Sequence, residues 1–226
     1  MEIRTILDGF SLIGVRADWT QQIVLSSKTH TPIMKIPDPV FMYEFVDTDI
    51  DSILEKRGFD LKRPIVAFAA YGKNGIFKEL ARYFRRMDFQ ILGLSMFNPY
   101  VDADLGDLLN PFQWADAFRR LSFCITDRYH ATILSVLANL PFVSIEPFKP
   151  ADIRNSKIYD LLRNIGRTDC YADVYDEGFQ TNELIEKIES LQKDWRRNYA
   201  NSIYKLRDEK RAEIRLFINQ LQEIIG

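Results

Sequence analysis

Cysteine, histidine and net charge are all scarce in this sequence. Its 226 residues include 2 cysteines and 2 histidines, and the formal net charge is -2. Cys124 and Cys170 are too few for a disulfide framework and lack metal-ligand spacing. Cys124 falls in the apolar run Leu121 to Ile125 and reads as a small buried thiol. No cluster of histidine and carboxylate has the spacing of a metal site, so no metal and no cofactor is expected. The near-zero charge gives no broad basic field for nucleic acid, and an anionic ligand would need a local basic pocket. No apolar run is long enough to span a bilayer. The opening segment, MEIRTILDGF, carries an early acid and no sustained apolar stretch, unlike a signal peptide. A cytoplasmic location is the expectation. Repeats and low-complexity tracts are also missing. Hydrophobic residues at 46% and charged residues at 27% are ordinary for a globular chain. The length suits one domain with extra helices, or two small domains.

Between Pro64 and Leu162 apolar runs alternate with helical periodicity. PIVAFAAY, FQILGLS, FCITD and PFVSIE read as buried strands. Gly75 to Met87 places Phe77, Leu80, Ala81 and Phe84 on one helical face. Pro111 to Leu121 and His130 to Leu140 read as further helices, the first with Pro in its opening turn. An Asp- and Asn-rich loop runs to Asn110. This alternation predicts an α/β fold with a doubly wound, Rossmann-like parallel sheet. Before it, Ser11–Asp18, Trp19–Ser26 and Pro32–Val40 read as strand, helix and strand. Asp47–Arg63 reads as a capped helix and a polar link. Asn155–Gly166 reads as a helix stopped by Gly166. Residues 1–180 are therefore expected to form the α/β domain. Residues 181–226 should form helices packing on it, or on an amino-terminal domain outside this sequence.

Ligands of such sheets gather at the carboxyl ends of the strands. That rule points to Tyr71–Lys73, Ser95–Asn98, Thr126–His130 and Glu146–Lys149. The Tyr71–Gly75 turn has neither the full Gly-rich dinucleotide fingerprint nor the Lys-Ser/Thr phosphate-loop ending. Thr126–Pro150 is the most informative stretch. Asp127, Arg128, Tyr129 and His130 follow a buried strand at a helix start, where free N–H groups and an Arg suit phosphate or carboxylate. His130 can move a proton near neutral pH. The next strand ends at Glu146, and Lys149 follows it. Each residue also has a purely structural reading. Arg128 would pair with Asp127, His130 would cap or pack, Glu146 would cap a loop, and Lys149 would be a solvated lysine. Phe112, Trp114 and Phe118 read as helix packing.

Arg128-Tyr129-His130, with its apolar helix, Pro-led strand and Lys149, resembles the Arg-Leu-His region of the polysaccharide pyruvyl transferases. SLIGVRADWTQQIV resembles that family's strand ending in Arg, here Arg16, and IPDPV resembles its Asp-Pro element. Tyr129 stands where Leu is common. The resemblance covers roughly Ser11 to Gly166 in the family's order. It implies the carboxyl-terminal half of a two-domain, GT-B-type transferase that moves a pyruvyl group from phosphoenolpyruvate to sugar hydroxyls of a glycan. On that reading Arg16 and Arg128 hold the donor's anionic groups, with Tyr129 and Glu146 also contacting substrate. His130 is acid or base, and Lys149 neutralises charge. Arg16 could instead pair with Asp18. A nucleotide-sugar glycosyltransferase, with Glu146 on the ribose, and a non-catalytic interaction domain are the alternatives.

The carboxyl-terminal segment places Trp195, Tyr199, Ile203, Leu206, Ile214, Phe217, Leu221 and Ile224 in a stripe that needs cover. Its last part is expected to meet the other domain or a second copy, through Ile214, Phe217, Leu221 and Ile224.

Overall fold

Strand formation follows from apolar runs too short for helices and flanked by turn residues. A computed structural model describes residues 3–71, 75–95, 98–146, 148–149 and 156–225. The predicted strands appear as β3 (Ile65–Ala69), β4 (Gln90–Gly93), β6 (Phe123–Thr126) and β7 (Phe142–Ile145), and every residue in them is buried. Burial on both faces is what an unbroken apolar run requires of a parallel strand. Two further strands are only two residues long, β5 (Ala103–Asp104) and β8 (Tyr171–Ala172). They complete a six-stranded parallel sheet in the order β5-β4-β3-β6-β7-β8. Counted along the chain, this is the 3-2-1-4-5-6 order of a doubly wound sheet, and it reverses between β3 and β6.

The flanking helices obey their sequence signals. In α4 (Gly75–Arg86) the buried residues are Phe77, Leu80, Ala81, Tyr83 and Phe84. Asn110 and Gln113 form a capping box at α5 (Pro111–Ala117), satisfying first-turn N–H groups. That helix ends earlier than the expected Leu121, because Phe118–Arg120 tightens into a 3-10 turn. α3 (Ile50–Lys56) stops at Gly58, whose φ of 88° favours glycine. α6 (Tyr129–Leu137) is buried along nearly its whole length. α7 (Lys157–Asn164) is capped by the Ser156 hydroxyl; Asn155, where the sequence reading began it, lies outside the described residues.

The two early strands do not join this sheet. β1 (Ile13–Val15) and β2 (Ile33–Lys35) pair in parallel as a separate two-stranded sheet, with α2 (Asp18–Ser26) as the crossover. Residues 1–180 therefore contain two sheets. The short α1 (Ile3–Leu7) precedes them. Its end is tied to the turn before β2, where the Thr31 hydroxyl donates to the Leu7 and Phe10 carbonyls.

α8 (Thr181–Asn198) packs on α4 and β7, and α9 (Ala200–Ile225) packs on α6 and the 3-10 turn Pro39–Met42. Phe217 of α9 reaches β1: a Cβ on Gly14 would lie 3.1 Å from its ring and 3.0 Å from Ile36. Ile214 is buried within its own chain, which removes it from the surface expected to self-associate; Phe217 and Leu221 are half-buried, and Ile224 is 47% exposed. Among the described residues no helix is long and apolar enough to cross a membrane.

Candidate active site

At the reversal between β3 and β6 the strand ends are stitched by short polar bonds. The Thr126 hydroxyl donates to the Ala69 carbonyl at 2.9 Å and accepts from the Arg128 N–H at 2.9 Å. Asp127, 7% exposed, accepts the Tyr71 N–H at 3.0 Å. Burial raises its carboxyl above the ordinary value, while the Tyr71 N–H and the Arg128 charge pull the other way. Arg128, at the N-cap of α6, has its Nε 3.3 Å from Asp127 Oδ1 and its guanidinium 4.3 Å from the Tyr71 ring centre. The expected Arg128–Asp127 pair exists, and it forms part of a larger constellation at the crevice where such folds bind ligands. Gly72 and Lys73, the rest of the first strand-end segment, lie outside the described residues, as do Asn74, Met96, Phe97, Pro147 and Pro150.

A second cluster forms where the β1–β2 sheet meets α6. Arg16 follows β1 and donates from Nη1 to Asp38 Oδ2 at 2.6 Å. Its partner is thus Asp38; Asp18 is taken by Lys35 and Arg163. His130 Nε2 stands 3.7 Å from the same Asp38 oxygen, beyond hydrogen bonding but within ion-pair range when protonated. The Arg16 guanidinium lies 4.8 Å from the Tyr129 ring centre, and Tyr129 meets His130 edge-to-face at 5.8 Å. Burial, and next the Asp38 charge, push the Tyr129 hydroxyl up to about 12, so it stays protonated and can donate. A cavity of about 170 Å³ lies against this cluster. Arg16, Asp38, Tyr129, Lys35 and, from α9, Lys210 and Glu213 are among the residues lining it.

Of the residues assigned to the donor site from the sequence, Arg16, Tyr129 and His130 meet around Asp38. Arg128, beside Tyr129 in the chain, faces Tyr71 and Asp127 instead. Glu146 is 6% exposed and accepts from the Ser156 hydroxyl at 2.5 Å and the Tyr171 hydroxyl at 2.8 Å. It ties β7 to β8 and to the start of α7, and burial raises its carboxyl. Lys149 is exposed, four residues past β7, and makes no hydrogen bond or ion pair with another described residue. Among the described residues no three of His, Cys, Asp and Glu gather as metal ligands. A larger groove of about 690 Å³, with Arg119, Trp195 and Arg196 in its wall, opens at the opposite, amino-terminal edge of the sheet.

Sequence reasoning noted Asp127 and the Asp38-containing IPDPV element but gave neither carboxylate a role of its own. Asp127 directly follows β6 inside the strand-end segment Thr126–His130, and Asp38 lies three residues past β2 in the IPDPV element.

The family model of the polysaccharide pyruvyl transferases matches residues 2–147. The chain belongs to that family. The match includes Arg16, Asp38, Arg128, His130 and Glu146 and stops short of Lys149. No curated protein matches the chain in sequence. Among solved structures, the spinosyn forosaminyltransferase SpnP superposes with a TM-score of 0.54 at 10% identity, over 87% of this chain and 51% of its own. A putative UDP-N-acetylglucosamine 2-epimerase from Listeria monocytogenes gives 0.50 at 11% identity, over 83% and 51%. Escherichia coli ADP-heptose lps heptosyltransferase II gives 0.47 at 11%, over 67% and 53%. The chain thus shares the parallel-sheet fold of the forosaminyltransferase and the epimerase, and spans about half the length of these structures.

Proposed function

We propose that this pyruvyl transferase family member takes phosphoenolpyruvate as donor and passes its pyruvyl group to two hydroxyls of a sugar. The observation that carries the reading is the meeting of Arg16 and His130 over one buried carboxylate, with His130 two residues along the chain from Arg128. Phosphoenolpyruvate presents a phosphate and a carboxylate, and two guanidinium groups suit two planar or tetrahedral anions. A proton added to the methylene carbon makes it a methyl group and leaves a cationic carbon. One sugar hydroxyl adds there and loses its proton, and the C–O bond to phosphate breaks. The second hydroxyl closes the cyclic ketal, so donor and diol become ketal and inorganic phosphate.

His130 is the group we assign to proton transfer, since an imidazole holds or gives a proton near neutral pH. Arg16 and Arg128 bind the anionic ends and stabilise the departing phosphate, where charge is greatest in the transition state. Tyr129 orients Arg16 through its ring. Lys149 supplies a further positive charge from the exposed segment after β7. No divalent ion takes part in this scheme, and activity that vanishes with a chelator and returns with a divalent ion would exclude it.

Titration of the protein with phosphoenolpyruvate and with nucleotide sugars tests the donor. Binding of phosphoenolpyruvate alone is expected. Binding of a nucleotide sugar alone would replace this reading with glycosyl transfer. The bonds Glu146 makes to Ser156 and Tyr171 weigh against that alternative, because they occupy an acceptor oxygen it would offer to a ribose.

A further inference from the structure

Asp38 is the one member of the second cluster that a ligand does not need to reach. It is 4% exposed, whereas the Arg16 and His130 side chains are 43% and 57% exposed. Its two oxygens are divided between tasks. Oδ1 accepts the Val40 N–H at 3.0 Å and starts the 3-10 turn Pro39–Met42. Oδ2 faces Arg16 at 2.6 Å and His130 at 3.7 Å. The turn itself is fixed, because Arg211 of α9 donates to the Phe41 and Tyr43 carbonyls at 3.0 and 2.8 Å. Arg16 comes from the two-stranded sheet and His130 from a helix of the six-stranded one. Among the described residues, Asp38 is the shared partner of both.

We propose that Asp38 is a positioning residue that joins Arg16 and His130 into a single anion-binding pair across the two sheets. This rests on the reading of the site as a phosphoenolpyruvate site. A charged fork held in advance loses less freedom when a ligand arrives. The acid–base group is then kept at a set distance from the anion that Arg16 grips.

The sign of one substitution separates this role from simple charge balance. Asp38→Asn keeps the shape and the carbonyl that caps Val40, but removes the negative charge. If Asp38 only neutralised Arg16, its loss would strengthen the pull on an incoming anion and tighten binding. If Asp38 positions Arg16, binding weakens.

The experiment has two arms on the intact chain. Calorimetric titration with phosphoenolpyruvate is expected to show roughly tenfold weaker binding in Asp38→Asn, with part recovered in Asp38→Glu. Ring resonances of the two histidines, distinguished by a His30→Gln variant, are read without ligand. Those of His130 should shift in Asp38→Asn, while those of His30 stay in place. Equal or tighter phosphoenolpyruvate binding in a folded Asp38→Asn protein overturns the proposal, and so do unmoved His130 resonances. Should the unaltered protein bind no phosphoenolpyruvate, the donor assignment falls and the His130 spectrum decides the role of Asp38. Asp38→Glu carries the spectroscopic comparison if the Asn variant does not fold.

Discussion

Replacing Arg128 by Gln removes the positive charge at the reversal of the sheet and tests whether that crevice holds an anion. Two costs to the fold can be worked from the structure. The stacking of its guanidinium 4.3 Å from the Tyr71 ring is worth about 0.5–1 kcal/mol at a partly exposed site. The pair with Asp127 at 3.3 Å adds little, because the Arg128 side chain is 38% exposed and exposed pairs contribute about 0–1 kcal/mol. The folded state should therefore lose no more than about 2 kcal/mol, a melting shift of roughly 4–8 °C for a chain of this size. A charged hydrogen bond to a bound phosphate or carboxylate is worth about 1.5–3 kcal/mol. Its loss corresponds to roughly 10- to 150-fold weaker binding. Arg128→Lys should fall between, keeping charge but losing the planar fork. Calorimetric titration with phosphoenolpyruvate and with inorganic phosphate, at low and high salt, reads the effect. Native-like melting with unchanged affinity would refute the placement of an anion at Arg128.

Three other outcomes follow from packing and charge. Asp116 is fully buried and accepts from the Thr48 N–H and hydroxyl and from Arg119 Nε at 2.7–2.9 Å. Burial raises its carboxyl, but Thr48 and Arg119 prevail and hold it below the ordinary 3.8. A depressed value gives stability that is present above the unfolded pKa and is lost as pH falls through the folded one. Asp116→Ala should thus cost about 3 kcal/mol at neutral pH, measured by urea unfolding, and a smaller cost at acid pH is expected. An equal cost at both would contradict it. Arg167, 5% exposed, lies 3.7 Å from the Tyr199 ring centre and 5.0 Å from that of Trp195, at the break between α8 and α9. Arg167→Leu should destabilise by about 2–4 kcal/mol and open that junction to protease; an unchanged cleavage pattern would count against the clamp. Leu216, Ile218 and Ile224 remain 54%, 42% and 47% exposed on α9. Self-association through this end should lessen in Ile224→Glu by sedimentation, and a monomer at high concentration before substitution would refute it.

The sequence by itself determined the sheet's central strands and the helices between them. Ile65–Ala69 and Phe142–Ile145 contain apolar runs with no other stable use than burial on both faces. Asn110 with Gln113, and Gly58, mark helix ends through hydrogen bonds and φ preferences that are local. Arg128 and His130 stood out as candidates because a polar group placed just after a buried strand lies at the edge where such sheets bind ligands.

Tertiary structure decided the rest. β5 and β8 are two residues long, so no periodicity could announce them. β1 and β2 look like any strand–helix–strand, and only long-range pairing shows that they stand apart from the main sheet. Arg16 has Asp18 two residues away and Asp38 twenty-two residues away. Proximity in the chain favoured the first. Lys35 and Arg163 occupy Asp18, and the parallel pairing of β1 with β2 brings Asp38 to Arg16. Which carboxylate meets which cation depends on strand register and on competing partners, and neither is a property of a local segment.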